Sequence, residues 1–231
     1  VTGAANLALA TLAFVGTHFG LSHPLRLPLV QNMGEAAFQL LYSLVAILTF
    51  GWIVLAYRAT PAGLPLWVAP GWAWPVAAAV MLVAAILFVG SLSGNPALPF
   101  RGARRRAAAV PTGVLAITRH PMNLSFVLWA LVHLALWGEM RNVIVALGIL
   151  VLAVGGTIGQ ERKKRATLGP AWAAWEARTS FVPFGALVSG RLPWRSAAPG
   201  WIALGGGLAV WLLATWLHAP SVSPIVLLLG T

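Results

Sequence analysis

The chain has 231 residues, of which 59% are apolar and 8% charged, whereas a soluble globular domain is about 45–50% apolar and about 25% charged. That composition excludes a soluble globular domain and a disordered or acidic chain, and it predicts a polytopic membrane protein. The lack of cysteine removes disulfides, thiolate metal ligands, a cysteine nucleophile and an iron–sulfur centre. Fifteen Lys and Arg against four acids give a net charge of +11, which has to be read against membrane topology before nucleic acid is considered.

Six apolar stretches predict transmembrane helices at 3–22, 36–57, 72–93, 122–137, 142–158 and 200–218. The expected fold is an all-α integral membrane protein, with about six transmembrane helices in a single bundle and residues 1–231 forming one domain. The first stretch has no basic residue before it and no small-residue cleavage site after it, so a retained helix is expected and not a signal peptide. A crossing takes about 20 residues, so the fourth and fifth stretches are short. Only Gly138-Glu139-Met140-Arg141 separates them, which predicts a tight helical hairpin. No segment shows the alternation of a membrane β-barrel. Residues 107–117 are apolar but too few to cross, and are expected to lie at the interface or to re-enter. In 170–178, Trp172 and Trp175 stand three apart beside Glu176 and Arg178, which predicts an interfacial helix at headgroup level. Trp67, Trp72, Trp74, Trp194 and Trp201 cluster at span ends as an aromatic belt does. Gly205-Gly206-Gly207 reads as a packing surface, and residues 221–229 are apolar but too short to cross.

The basic residues fall on one side. Arg26 follows the first span. Arg101, Arg104, Arg105, Arg106 and Arg119 follow the third. Arg162, Lys163, Lys164, Arg165, Arg178, Arg191 and Arg195 follow the fifth, and only Arg58 and Arg141 lie opposite. The positive-inside rule makes the loops after odd spans cytoplasmic and turns both termini outward. Insertion thus accounts for the charge, with membrane lipid as the partner and no nucleic acid.

Ionisable groups inside hydrocarbon are costly and mark sites, so the five histidines come next. His133 lies twelve residues beyond Pro121, about 18 Å along a helix. Its helical neighbours are Phe126, Trp129 and Trp137, with the small Ala130 beside it. It reads either as a grip on a flat apolar cofactor or as a histidine hydrogen-bonded to a neighbouring helix. His18 sits among small residues in Gly16-Thr17-His18-Phe19-Gly20, where a helix or a large ring can approach closely. His23, before Pro24, and His218 read as interfacial. His120 and Arg119 precede Pro121 at the start of the fourth span, a place that either attracts carboxylate or phosphate groups or anchors the helix. Glu35, Gln39, Tyr42, Ser43 and Thr49 place most of a polar stripe on one side of the second span, facing protein and either lining a cavity or bonding another helix. No His-Glu-x-x-His pattern, paired carboxylates or phosphate-cradling glycine loop occurs. What remains is histidine chemistry inside a membrane, where two imidazoles from separate helices can ligate a haem iron and aromatics pack the macrocycle.

Three segments resemble known signatures. Thr17-His18-Phe19-Gly20-Leu21-Ser22-His23-Pro24-Leu25-Arg26 with Gly34-Glu35 and Leu41-Tyr42-Ser43 is similar to the amino-terminal signature of NnrU proteins. Ile117-Thr118-Arg119-His120-Pro121-Met122 with Leu128 to Leu134 is similar to the central one. Lys163-Lys164-Arg165-Ala166 through Trp172, then Thr179-Ser180-Phe181-Val182-Pro183-Phe184, is similar to the last. The motifs fall within about 11–190, and the last helix follows at about 200–218.

The resemblance implies a bacterial inner-membrane protein linked to nitrite and nitric oxide metabolism in denitrification, and the positive-inside reading then puts both termini on the periplasmic side. The resemblance also implies kinship with zeta-carotene isomerases, which use haem b to turn a cis double bond trans. By motif, the haem iron ligands would be His18 and His133, with His23 the fallback. Phe126, Trp129, Ala130 and His120 would line the cofactor, and Arg26 and Arg119 would meet its propionates. A non-ligand cysteine of the isomerases falls on Ala130, which removes any thiol-based ligand exchange, and Gln39 stands where relatives carry arginine. Straight spans leave the two ligands about 10–15 Å apart in depth, a gap that tilted helices could close. The implied chemistry is redox-dependent cis–trans isomerisation of a lipophilic polyene. An alternative is an S-adenosylmethionine-dependent membrane methyltransferase similar to isoprenylcysteine carboxyl methyltransferases, to which Glu161, Gly169, Trp175 and Pro183 loosely fit. A non-catalytic assembly partner of respiratory enzymes is the third reading.

Overall fold

A computed structural model describes residues 3–99 and 102–218, so Arg101 and the apolar segment 221–229 lie outside the described residues. The helices are α1 (Gly3–Ser22), α2 (Arg26–Ala59), α3 (Ala73–Ser91), α4 (Ala103–Ala108), α5 (Val114–Ile117), α6 (Pro121–Leu136), α7 (Met140–Leu168), α8 (Pro170–Arg178), α9 (Gly185–Val188) and α10 (Trp201–His218), with a 3-10 turn at Trp194–Ala197. The all-α expectation holds among the described residues, where extended pairing is limited to one isolated bridge between Val68 and Trp137. Five helices, α1, α2, α3, α7 and α10, are long and apolar enough to cross a membrane. The sixteen-residue α6 is apolar but shorter.

Two boundaries differ from the expected ones for a readable reason. α2 begins ten residues early because Arg26–Met33 forms its own helical piece, set off from the rest at Gly34, whose φ of 82° only glycine adopts cheaply. α7 runs on to Leu168 through the basic cluster, because a helix end outside the apolar layer is free to carry charge. It stops at Gly169, with φ of 53°, and Pro170 starts α8 at a position where its missing N–H is no loss.

The described residues group into two units. The first comprises residues up to 75 together with 129–159. Here α1 and α2 run antiparallel, with the Trp52 indole donating to Asn6 Oδ1 at 3.2 Å near one end and Ser22 to the Tyr42 hydroxyl at 3.3 Å near the other. Leu7, Ala10, Phe14, Ile53 and Ala56 form their buried seam, and Ile144, Val145, Ile149 and Leu152 of α7 pack on it. α7 lies parallel to α1: Gly148 faces Thr11, Gly155 faces Phe19 and Gly159 faces the His23 ring, each too close for a Cβ. Without a hydrophobic drive between helices in lipid, such close approach of small residues is what holds helices together. At the far end of α6, the Asn142 amide donates to the carbonyls of His133 and Trp137, both at 2.8 Å, and the Trp67 indole donates to Leu134 and Ala135. These contacts satisfy carbonyls that a helix end leaves without partners.

The second unit comprises 76–128 with 160 onward. α3 and α10 run antiparallel, with Gly206 against Val89, Gly207 against the Ile86 backbone and the Trp211 indole donating to Ala78 O at 2.9 Å. The glycine run is therefore a packing surface, as expected. Residues 107–117, expected at the interface or re-entrant, hold no helix longer than six residues. They form parts of α4 and α5, and Ala107, Val114, Leu115 and Ala116 are buried in this unit's core. In α8 the two indoles do not face outward as the interfacial reading expects. Trp172 and Trp175 are 0% and 1% exposed and pack with Ala97, Ala107, Leu115 and Leu168, because a short helix folded back after Gly169 turns its indoles onto α4. Arg178 at the end of α8 donates to the carbonyls of Ala107, Ala108 and Ala109, closing α4.

Candidate functional site

In the first unit, His133 stands in a ladder of rings produced by its own helix. Trp129 and Trp137 lie four residues before and after it, hence above and below it on one face. The Trp129 ring stacks on the imidazole at 3.9 Å, Trp137 lies 5.2 Å away, and Trp74 meets Trp137 edge-on at 5.2 Å. Nδ1 lies 2.8 Å from Trp129 O, and since a carbonyl only accepts, Nδ1 carries the proton. Ala130 beside it is fully buried. The aromatics expected to grip a flat cofactor thus stack on the imidazole itself. Phe126 belongs to the second unit, where it is 40% exposed and meets Phe88 edge-on at 5.8 Å.

His18 is half-buried near the other end of α1. Its Nδ1 donates to Phe14 O at 2.7 Å, and its ring lies 4.1 Å from Phe14 and 5.4 Å from Tyr42. Of the polar stripe on α2, Tyr42 and Thr49 are half-buried, whereas Glu35, Gln39 and Ser43 are exposed, which corrects the expectation that most of the stripe faces protein. His23, the fallback ligand, packs its ring against Gly159 on α7 and stacks with Phe19 at 6.3 Å. Arg26 is held by both carboxylate oxygens of Glu35, at 2.7 and 2.9 Å. Nine residues along an unbroken helix would separate them by about 13 Å, and the break at Gly34 brings them together.

The helix register measures the depth of the two expected ligands. Thr11 faces Gly148 and Phe19 faces Gly155, so His18 stands level with roughly residue 154 of α7. The His133 carbonyl is bonded to Asn142, which puts His133 level with roughly residue 144. The difference, about ten residues, is about 15 Å of axial rise. Each side chain leans toward its own helix N-terminus, which here means toward the other, but that closes only part of the distance. Two imidazole nitrogens on one metal, each bonded at about 2 Å, sit far closer than that. The donor chemistry of each histidine fits an axial ligand, since a carbonyl-tied Nδ1–H leaves Nε2 as the metal-facing nitrogen. By this register the two rings stand at different depths along α7.

The second unit holds a different construction. His120 is 4% exposed, with Nε2 2.6 Å from Glu161 Oε1 and Nδ1 3.2 Å from Gln160. Arg119, 8% exposed, reaches Glu161 at 3.3 Å, Glu176 at 3.1 Å and Thr179 O at 3.4 Å. Arg165 joins the same two carboxylates. Burial draws the pKa of the Arg119 guanidinium below its ordinary value, and Glu161 and Glu176 pull it back up. The backbone reinforces the cluster: Arg119 N–H donates to Ser180 O at 2.9 Å, Phe184 N–H to Ile117 O at 2.7 Å, and Thr118 Oγ1 to Phe181 O at 3.1 Å. The central and last signature segments therefore form one clamp. Arg119 and His120 are engaged inside it, and Arg26 is paired with Glu35 through one terminal nitrogen while remaining partly exposed. By sequence, Glu161 stands out only through the methyltransferase likeness and Glu176 only beside the α8 indoles, while Gln160 is passed over. The signal was available, since the chain has only four acids and all four, Glu35, Glu139, Glu161 and Glu176, are ion-paired.

Apolar helices of crossing length, with all four acids ion-paired, define a multi-pass α-helical membrane protein. Within that class the chain belongs to the NnrU family, whose model, described as NnrU protein, matches residues 6–224. It is 32% identical over 80 residues to "15-cis-zeta-carotene isomerase, chloroplastic" of Zea mays and 30% identical over 80 residues to the protein of the same description in Arabidopsis thaliana. Each alignment covers 35% of this chain and 22% of the relative, so the chain spans about a fifth of the length of the curated relatives it matches. No solved structure matches it.

Proposed function

We propose that this protein isomerises a cis double bond of a lipophilic polyene within the membrane. The likeness to the two isomerases carries this reading, and the membrane-crossing helices support it by offering a site that such a substrate reaches through lipid. In this reading the chain crosses a bacterial inner membrane six times, with α6 and α7 as a hairpin and both termini outward, because that arrangement places the basic loops inside. The family's link to nitrite and nitric oxide metabolism supplies the physiological setting.

Haem b enters the proposal with His133 as its protein ligand and without His18. When bound, it would supply reversible electron donation that weakens a double bond long enough for rotation. The chain's own contribution is orientation. The Trp129 carbonyl fixes the tautomer of His133 and the flanking indoles fix its ring plane. The test uses the purified protein in liposomes loaded with 15-cis-zeta-carotene, reading double-bond geometry by chromatography and absorbance. Conversion beyond that in protein-free liposomes is expected, and an unchanged isomer ratio under both oxidising and reducing conditions would overturn the proposal.

A further inference from the structure

The chain holds four acids, and each is committed to a cation of its own. Glu35 pairs with Arg26, Glu139 with Arg141, and Glu161 and Glu176 with Arg119 and Arg165. Among the described residues, no carboxylate therefore reaches Arg104, Arg105 or Arg162, and all three are exposed. α4 gathers two of these cations on one surface. Ala103 and Ala107, four residues apart on one face, pack in the cluster that holds Trp172 and Trp175. The rest of the helix turns Arg104, Arg105 and Ala108 outward, and Val110 just beyond it is 70% exposed. Arg104 donates to Thr167 O at the charged end of α7 at 3.5 Å, and Lys164 of α7 returns to Leu98 O, ahead of α4, at 3.3 Å. A short helix is thus pinned by its apolar face, with guanidiniums and an apolar residue side by side on the outside. It follows α3 and lies against the end of α7, both helices of crossing length, where an apolar run gives way to charge.

We infer that the outer face of α4 is a docking surface for anionic phospholipid, with Arg104 and Arg105 binding the headgroup phosphate. A guanidinium meets phosphate oxygens through two parallel N–H groups. Basic clusters beside a membrane-crossing helix attract anionic lipid, and an exposed apolar neighbour such as Val110 enters the acyl boundary. The surface is separate from the His133 ladder and the Arg119 clamp, and it does not rest on the isomerase reading. It also asks for more than the sidedness of the chain does. Orientation needs only an excess of Lys and Arg in a loop, whereas this surface needs two guanidiniums at their places on α4.

The full chain, in uncharged detergent at about 0.15 M salt, is titrated with short-chain phosphatidylglycerol. Phosphatidylcholine of the same chain length and inorganic phosphate form separate arms. Affinity is read from the rise of the unfolding midpoint with ligand concentration, and retained lipid by mass spectrometry of the intact complex. Phosphatidylglycerol is expected to raise the midpoint saturably, and the other two to leave it unchanged. Arg105→Gln is expected to weaken binding about fivefold, and Arg104→Gln combined with it about 25-fold. Arg162→Gln removes the same charge from an exposed site outside α4 and is expected to stay within about twofold of the parent, because salt screens it. Midpoints without lipid confirm that each variant is folded. Equal stabilisation by phosphatidylcholine, or parental affinity in the folded double variant, would overturn the inference. So would equal weakening by Arg162→Gln, which would leave only diffuse charge attraction, or a full response to inorganic phosphate, which would make the ligand a free anion.

Discussion

The two units spend their polar residues in opposite ways. In the second, Arg119, His120, Glu161, Glu176 and Arg165 close on one another and on the 179–184 segment. In the first, α1, α2 and α7 meet through small and apolar residues, and His18 and His133 each hold a carbonyl of their own helix by Nδ1. Signature residues therefore serve two purposes within one chain. Those around Arg119 secure a helix start to the segment that follows α8, and those around His18 and His133 stand among aromatic rings. A buried charge is weak evidence for a ligand when its counter-charges are also buried.

The contrast can be broken from either side. Glu161→Gln removes the carboxylate that holds Arg119 and His120 and leaves a buried guanidinium short of a counter-charge. Its side chain is 6% exposed, and breaking such a pair costs about 3–5 kcal/mol, read as a lowered unfolding midpoint in detergent. If the clamp is structural, the His133 environment is untouched. In the first unit, Gly155→Leu forces a side chain into the Phe19 ring and is expected to cost about 1–3 kcal/mol by overpacking, measured in the same way. Glu35→Gln marks the lower bound. The Arg26–Glu35 pair is 30% and 47% exposed, so its loss is expected to change stability by less than about 1 kcal/mol. A larger effect would show that the break at Gly34 depends on that pair.

Much of the helix layout was legible from hydrophobicity alone, because a long apolar run has few alternatives to a helix in lipid. The break at Gly34 was not, since a glycine within an apolar run carries no mark of its φ. The α8 indoles misled because tryptophan at a span end usually reads the interface, and only the fold-back after Gly169 turns them inward. His18 and His133 were findable as rare polar groups in apolar helices. Their partners were not, because Tyr42 meets His18 across two helices and Glu161 meets His120 across forty residues of sequence. The difference in depth between the histidines was countable from the spans, and the glycine contacts between α1 and α7 give it a register.

The most direct test of the account is haem retention by the single variants His18→Ala and His133→Ala, purified after reconstitution with haem b and read by the Soret band per protein. Parental occupancy is expected in His18→Ala and loss in His133→Ala. Equal loss in both, together with a low-spin bis-histidine spectrum in the parent, would contradict it.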